Sequence, residues 1–365
     1  MDELVPLNAP RAHPAPHLDL LGLLPPELEA LVAVMGEAPY RARQLQSWLY
    51  ARAARDIGSM TDLSNSFRRE LAGRACIGRP ALEACREDQG GEAAKFLFRL
   101  PDGERVESVL IYDGARRTAC LSSQVGCGLG CTFCATARMG FRRQLTAGEI
   151  IGQLLEIGVV LRQRRERVTN VVLMGMGEPL LNLEAVLRSI QVMRLVPGPG
   201  IGGRRITVST AGHVPGIHHL ARARLNVGLA ISLNATTDEL RRQLMPIAHQ
   251  YSIADLLGAA QDYFDVVGRR VTFEYVLMAG VNDSLEDAGR LGTLSRRVPC
   301  KLNLIPYNES GYDTPYRRPA AHWIQRFRAA VAAVSPVQTT VRDSHGRGIA
   351  AACGQLYQQH RSPRR

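Results

Sequence analysis

A chain of 365 residues, 45% of them hydrophobic, is long enough for one large domain and a smaller one. It carries 45 basic against 34 acidic residues, a formal net charge of +11, with lysine only at Lys95 and Lys301. No apolar run approaches the ~20 residues that span a bilayer, and eight cysteines in this length are too few for a disulfide scaffold.

Arginine forks match phosphate and stack on bases. The charge therefore fits a polyanionic partner, and it fits a compositional bias toward arginine equally well. The N-terminus, Met1-Asp-Glu-Leu-Val-Pro6, lacks the basic start and apolar core of a signal peptide. A cytoplasmic protein without a membrane partner is expected.

Residues 1–18 are rich in Pro, Ala and His and read as a disordered tail. Residues 19–92 read as a small helical domain. Leu23, Leu24, Leu28, Leu31 and Val32 recur at helix spacing, with Pro25 and Pro26 suited to a helix start. A second helix over 39–50 places Leu45, Trp48 and Leu49 on one face, with Arg41, Arg43, Arg52 and Arg55 around the other. A third follows Thr61-Asp-Leu-Ser64. The basic face is either a solvated surface or a contact for RNA phosphate.

Residues 93–117 alternate about Pro101-Asp-Gly103 and read as a β-hairpin linker. Glu107 falls in its second strand among apolar neighbours, as an exposed edge residue or as a directed functional group. From 118 to 335, apolar runs at 118–125, 168–174, 205–209, 226–233, 271–277 and 301–305 alternate with helical stretches. Repeated β-then-α units imply a parallel sheet with right-handed crossovers. The α/β fold expected is a partial (β/α)6 barrel, with a flat doubly wound sheet as the alternative. Residues 336–365 add a strand at 337–341 and a glycine-flanked loop holding Cys353, before a frayed tail over 358–365.

Function gathers at the C-terminal ends of barrel strands. The first run is followed by Cys127-Gly-Leu-Gly-Cys131-Thr-Phe-Cys134, the second by Gly175-Met-Gly177-Glu178-Pro179. The third ends in Ser209-Thr-Ala-Gly212, the fourth in Ser232-Leu233-Asn234, and the fifth carries Glu274. The sixth runs out to Tyr307-Asn308. C-x3-C-x2-C suits three irons of a [4Fe–4S] cluster with the fourth left open to a chelating substrate. A structural zinc site would need a fourth ligand. An amino acid joined to a nucleoside, with a sulfonium beside a redox cluster, is S-adenosylmethionine (SAM). Gly-Met-Gly-Glu alone is equally readable as a tight turn after a buried strand.

The cysteine spacing followed by Gly177-Glu178-Pro179 resembles the radical-SAM superfamily. Longer runs are more specific: Cys120-Leu-Ser-Ser-Gln-Val-Gly-Cys127, Leu173-Met-Gly-Met-Gly-Glu-Pro-Leu-Leu-Asn182, Ser209-Thr-Ala-Gly212, Asn303-Leu-Ile-Pro306 and Ala351-Ala-Cys353-Gly-Gln355. They are similar to the RlmN/Cfr family of radical-SAM RNA methyltransferases, over roughly residues 20–357. The likeness is greatest to its RlmN branch, which methylates C2 of adenine in 23S ribosomal RNA and in transfer RNA.

That resemblance implies that Cys127, Cys131 and Cys134 ligate a [4Fe–4S] cluster. Gly177, Glu178, Ser209, Ser232, Leu233, Asn234 and Asn308 would contact SAM. Cys353 would carry the methyl group, Cys120 would be its partner thiol, and Glu107 the proton acceptor. One SAM per turnover would methylate Cys353 and a second would be cleaved to a radical, ending in a disulfide that must be reduced. The family commonly has Ser-Leu-His where this chain has Ser232-Leu233-Asn234. The implied partners are 23S rRNA, tRNA and a flavodoxin- or ferredoxin-type reductant, acting on a monomer. Arg116, Arg117, Arg138, Arg142, Arg143, Arg204 and Arg205 are candidate phosphate contacts. Two alternatives stay open: methylation at C8 of adenine, and a cluster-bearing RNA-binding or redox protein without methyl transfer.

Overall fold

In a computed structural model, which describes residues 18–309, 314–342 and 346–356, the first unit opens and closes at one place. Leu18–Asp19 (β1) precedes helices α1 (Pro25–Val34), α2 (Tyr40–Gln46) and α3 (Asn65–Arg74). Ala75–Cys76 (β2) then returns to pair with β1 in parallel. Ser64 starts α3 by accepting from the Phe67 N–H at 3.2 Å, which satisfies one of the helix's orphan donors. Leu28, Val32, Leu45, Leu49, Phe67 and Leu71 fill the interior, so the helix spacing read from the leucines holds. Of the tail expected over 1–18, residues 1–17 lie outside the described residues, whereas Leu18 belongs to β1; the tail expected over 358–365 also lies outside them.

Four strands follow as an antiparallel meander: β3 (Ala81–Glu87), β4 (Ala93–Arg99), β5 (Arg105–Asp113) and β6 (Arg116–Cys120). The hairpin read over 93–117 is present as β4 and β5, but it does more than link. It belongs to a ten-stranded sheet, lying between the edge strand β3 and β6, in which β6 is antiparallel to β5 and parallel to the next barrel strand. β3 falls in the stretch read as helical; an outer edge strand carries mostly exposed polar residues and so lacks an apolar pattern.

The apolar run over 118–125 is not one strand. β6 stops at Cys120, and Gln124–Gly126 (β7) leaves the sheet to pair with Phe141–Gln144 (β8). Two buried serines make the break. Ser122 Oγ donates to the Glu107 carbonyl at 2.6 Å and accepts from the Met176 N–H at 2.8 Å. The Ser123 carbonyl accepts from Asn182 Nδ2 at 2.8 Å.

The β/α alternation then runs α4 (Ala147–Gln163), β9 (Asn170–Leu173), α5 (Leu183–Met193), β10 (Ile206–Thr210), α6 (Val214–Arg222) and β11 (Gly228–Ser232). It continues with α7 (Asp238–Leu244), α8 (Ile253–Val267), β12 (Val271–Leu277), α9 (Leu285–Ser295), β13 (Cys300–Pro306), α10 (Ala321–Val334) and β14 (Thr339–Val341). β6 and β9 to β14 are parallel throughout, the wall of an open, partial β/α barrel. Capping boxes at Thr146/Glu149 and Ser252/Asp255 start α4 and α8. α10 had no sequence expectation, although Ile324, Phe327 and Val331 recur at helix spacing and bury its inner face.

Closed eight-stranded barrels fill their centre with branched apolar residues. This open one does not. Thr118, Asn170, Thr207, Thr272 and Asn303 line a cavity in its lower half, beside Arg116, Arg204 and Arg205. Among the described residues no helix is long and apolar enough to cross a membrane.

One buried ion pair clamps the helical unit to the barrel. Glu156, 1% exposed on α4, accepts from Arg79 Nε at 2.9 Å and from Arg79 Nη2 at 2.5 Å, and it also pairs with Arg55. Arg79 Nη1 reaches the Ala53 carbonyl at 2.7 Å. Removing one partner of such a pair strands a buried charge. Glu156→Ala should therefore destabilise the protein by about 3–5 kcal/mol, read as a shifted midpoint in urea unfolding.

Candidate active site

The cysteine loop between β7 and β8 is shaped by close backbone approach. Gly126 sits at φ +73°, and a Cβ on it would lie 1.8 Å from the Gly140 carbonyl oxygen. The Cys127 N–H donates to that same carbonyl at 3.0 Å, so the loop closes across its own base. Further out, the Thr132 N–H donates to the Leu244 carbonyl at 3.0 Å and the Ala135 N–H to the Gly354 carbonyl at 2.8 Å. These contacts pin the loop between α7 and the C-terminal segment.

Burial pushes the Cys127 thiol up to about 12, with the Cys134 and Glu178 charges adding to it. Burial raises Cys131 well above its ordinary value, helped by both neighbouring cysteines. Such thiols stay protonated until a metal takes the proton's place. Among the described residues no three acidic, histidine or cysteine side chains converge as for one metal ion. A cubane asks for something else: three thiolates spread over separate irons. The three-thiol donor set and the glycine-pinned cradle fit that group. Gly126→Ala should then lower the iron content of purified protein to well under half that of the wild type, because both the positive φ (about 1–3 kcal/mol) and the Gly140 carbonyl oppose a Cβ.

Above the loop lies a cavity of about 1040 Å³ including its mouth, on the scale of a small-molecule site. It brings together Cys127, Cys131, Cys134, Gly177, Glu178, Ser209, Ser232, Asn234, Asn308 and Cys353. Leu233 is not among the lining residues; its side chain is buried in the core and its N–H pairs with the Glu274 carbonyl at 2.9 Å. Alternation along the strand end sends it to the opposite face from Ser232 and Asn234.

The second strand's loop differs in detail from the sequence reading. A Cβ on Gly175 would meet the Ser122 hydroxyl and Leu121 backbone at 2.6–2.7 Å, and one on Gly177 would meet Gln124 at 2.5–2.8 Å. The close approach their missing Cβ atoms allow is to the neighbouring chain segment, while both glycines still line the cavity. Glu178 Oε1 accepts from the Leu180 N–H at 3.0 Å and Oε2 from the Ala211 N–H at 2.7 Å. Burial raises its carboxyl to about 7 against those backbone donors. A carboxylate has further lone pairs, so Glu178 keeps acceptor capacity toward the cavity.

Asn234 stands at φ +57°, where Asn is one of the few tolerated side chains. Its Oδ1 accepts from the Val276 N–H at 2.9 Å, and its carbonyl accepts from Asn282 Nδ2 at 2.8 Å. Much of its polarity is thus used to brace β11 against the end of β12. That gives a physical reason for Asn at this position.

Cys353 also borders a smaller cavity, shared with Cys120, Val109, Met174 and Arg342. The Cys353 carbonyl accepts from Asn308 Nδ2 at 3.3 Å, and Thr136 Oγ1 donates to the Leu356 carbonyl at 2.7 Å. These bonds hold the C-terminal segment over the cluster loop. Burial pushes the Cys120 thiol up to about 12, and burial likewise raises Cys353, with the Arg342 guanidinium opposing the rise in both. Glu107 lines neither cavity. It lies on the same face of β5 as Val109, which pairs with Cys120, and it is 4% exposed. Lys95 Nζ sits 3.0 Å from Glu107 Oε1 and donates to the Ala350 carbonyl at 3.3 Å. The lysine therefore ties Glu107 to the segment that carries Cys353.

Sequence reasoning missed Lys95, Arg342 and the burial of Glu274. One of only two lysines in an arginine-rich chain, on the strand paired with that of Glu107 in a predicted hairpin, was a usable signal; for Arg342 there was none. Several candidate phosphate arginines are engaged within the chain instead: Arg117 with Glu166, Arg142 with Glu104, and Arg143 with Asp102 and Glu149. Arg52 pairs with Asp62 at 3.4 Å and stacks on Trp48, while Arg41 reaches the Asp62 carbonyl.

Comparison with known proteins bears on this geometry. The profile of the Radical SAM superfamily matches residues 121–291, and that of the ribosomal RNA large subunit methyltransferase N-terminal domain matches residues 18–77. The chain is 48% identical over 345 residues to a probable dual-specificity RNA methyltransferase RlmN of Moorella thermoacetica, covering 93% of this chain and 97% of that protein. It is 45% identical over 359 residues to a dual-specificity RNA methyltransferase RlmN of Anaeromyxobacter sp., covering 96% and 93%. Among solved structures, the crystal structure of a radical SAM methyltransferase from Sphaerobacter thermophilus superposes with a TM-score of 0.89 at 43% identity, over 93% of this chain and 99% of that one.

Proposed function

Because the chain belongs to the RlmN family of radical SAM methyltransferases, we propose that it methylates C2 of an adenine in 23S rRNA and in tRNA, using a methyl group carried on Cys353. The observation that carries this reading is the pair of thiols, Cys120 and Cys353, on one small cavity that shares Cys353, Met174 and Leu356 with the cluster cavity. A generic radical source has no use for two further thiols there.

Cys127, Cys131 and Cys134 would hold the [4Fe–4S] cluster, with Glu178, Ser209, Ser232 and Asn308 placed to orient SAM. Bound there, cluster and SAM supply an electrophilic methyl from one SAM and, from a second, a radical able to take a hydrogen atom from that methyl. C2 of adenine is electron-poor, so it cannot displace a sulfonium directly; Cys353 Sγ can, and becomes a methyl thioether. After hydrogen abstraction the carbon on Cys353 joins C2, tethering protein to RNA. Glu107 takes up the C2 proton as the adduct gives up one electron, for which the [4Fe–4S] cluster, when bound, would be the acceptor. The Cys120 thiolate then attacks Cys353 Sγ; the S–C bond breaks toward carbon, which takes a proton, and a Cys120–Cys353 disulfide remains for external reduction. A low-potential donor of the flavodoxin or ferredoxin type would supply electrons, to a monomer in the cytoplasm.

Arg342 has a place in this scheme. Both thiols are held up by burial, and its guanidinium is the nearby cation that favours their thiolates. The test is anaerobic incubation of reconstituted protein with dithionite, SAM and an RNA hairpin, followed by nucleoside mass spectrometry. 2-Methyladenosine with 5′-deoxyadenosine is the expected result. 8-Methyladenosine would move the chemistry to the neighbouring ring, and 5′-deoxyadenosine without methylated RNA would remove the methyl relay.

A further inference from the structure

The cavity has two carboxylates at opposite chemical poles. Glu178 acts on the cluster cysteines, Cys127 and Cys131. Glu274 acts instead on Cys120 and Cys353, the thiols at which the target base must arrive. Glu274 belongs to β12, is 7% exposed, and lines the large cavity together with Cys353. Its Oε1 has no hydrogen-bond partner among the described residues. Arg342 Nη1 stands 3.7 Å away, close enough to balance charge and too far to satisfy the oxygen. A buried acceptor left open beside a reaction site is waiting for a donor.

The base named in the proposed function offers few donors. Adenine's ring nitrogens are acceptors, and its exocyclic amine is the only N–H on the free base edges. That amine projects from C6, two bonds round the ring from C2. We infer that Glu274 accepts a hydrogen bond from the exocyclic amine of the target adenine and so makes the site select adenine over a 6-oxo purine. Ionised or protonated, the carboxyl keeps an acceptor oxygen for the amine. Opposite the O6 of guanine or hypoxanthine the ionised form meets another acceptor, and the pairing is lost. The C2–C6 geometry also orients the ring, so that C2 and not C8 turns toward Cys353. This inference rests on the RNA methyltransferase reading above.

The experiment uses full-length reconstituted protein and hairpins that differ only at the target base: adenosine, purine riboside (no amine) and inosine (O6). Product formation and, separately, affinity by fluorescence anisotropy are measured for wild type, Glu274→Ala and Glu274→Gln. Wild type should prefer adenosine over purine riboside by roughly 10- to 100-fold, the range of a charge-assisted hydrogen bond. Differences in intrinsic base reactivity cancel when this ratio is compared between proteins. Glu274→Ala should lower the ratio by roughly 10-fold or more relative to wild type. Glu274→Gln, whose amide can donate to O6, should raise the inosine-to-adenosine ratio above the wild-type value, a gain that a folding defect cannot mimic. Ratios unchanged in both variants overturn the inference, as does weakened SAM binding with unchanged base ratios, which would place Glu274 on the cofactor. Wild type that leaves the adenosine hairpin unmodified overturns the functional reading and this inference with it.

Discussion

Cys353→Ala should reduce methyl transfer to RNA by at least about 10³-fold, the scale on which removal of a covalent nucleophile shows. The size of the loss follows from chemistry: no other sulfur in the cavity stands where the C-terminal segment places Cys353, and adenine C2 has no direct route to a sulfonium methyl. Cleavage of SAM to 5′-deoxyadenosine under reduction should continue, because the three cluster cysteines are untouched. The fold should survive as well. Cys353 is half-buried in a loop, and truncating it to alanine removes one sulfur from a site already adjoining a cavity. Anaerobic assay with labelled SAM, scored in parallel for RNA label and for 5′-deoxyadenosine, separates the two activities. Full RNA methylation by the variant would end the methyl-carrier assignment.

Cys120→Ala should behave differently, and the contrast is informative. The bond between Cys353 and C2 can form without Cys120, but its release needs the second thiolate. The variant should therefore stop after at most one turnover with RNA covalently attached, visible as a shifted band on a denaturing gel. The attachment should resist reductants, since it is a thioether and not a disulfide. Multiple turnovers by Cys120→Ala would assign release to another group. Alkylation of the free thiols adds a further check: with Cys120 pushed up to about 12 by burial, its reaction should be slow at neutral pH and quicken as pH rises toward that value.

The parts of the site that could be read from the sequence are those written in contiguous residues. Cys127, Cys131 and Cys134 declare themselves by spacing, and the β/α alternation by period. The cysteine loop's placement at a strand end also follows from the alternation, even though Ser122 and Ser123 detach β7 from β6. What depends on tertiary contact was hidden. Nothing in Val106-Glu107-Ser108 shows that Lys95 from the adjacent strand holds the carboxylate, or that Lys95 also reaches Ala350. Nothing in Gly175-Met-Gly177 shows that the space the glycines' missing Cβ atoms leave belongs to Leu121 and Gln124. Leu233 was carried along with its neighbours Ser232 and Asn234 until strand alternation sent it to the core. Glu274 and Arg342 lie 68 residues apart in number and meet only because β12, β13 and β14 run side by side.

The polar lower half of the barrel fits the same account. Thr118, Thr207, Thr272 and Asn303 line a cavity that Glu274 and Arg342 also border. An open barrel can keep such a cavity because the meander of β3 to β6, the N-terminal helical unit and the C-terminal segment add burial outside its centre. The Glu156 clamp and the ties from Lys95, Asn308 and Thr136 to the C-terminal segment are the joints of that arrangement.

The most direct test of C2 methylation of both RNAs is mapping of methylated adenosines in 23S rRNA and tRNA from cells with and without this protein. Loss of 2-methyladenosine from one position in 23S rRNA and from tRNA in the deletion strain, restored by the wild-type chain and not by Cys353→Ala, is the predicted result. Retention of 2-methyladenosine in the deletion strain, or loss of 8-methyladenosine in its place, would contradict it.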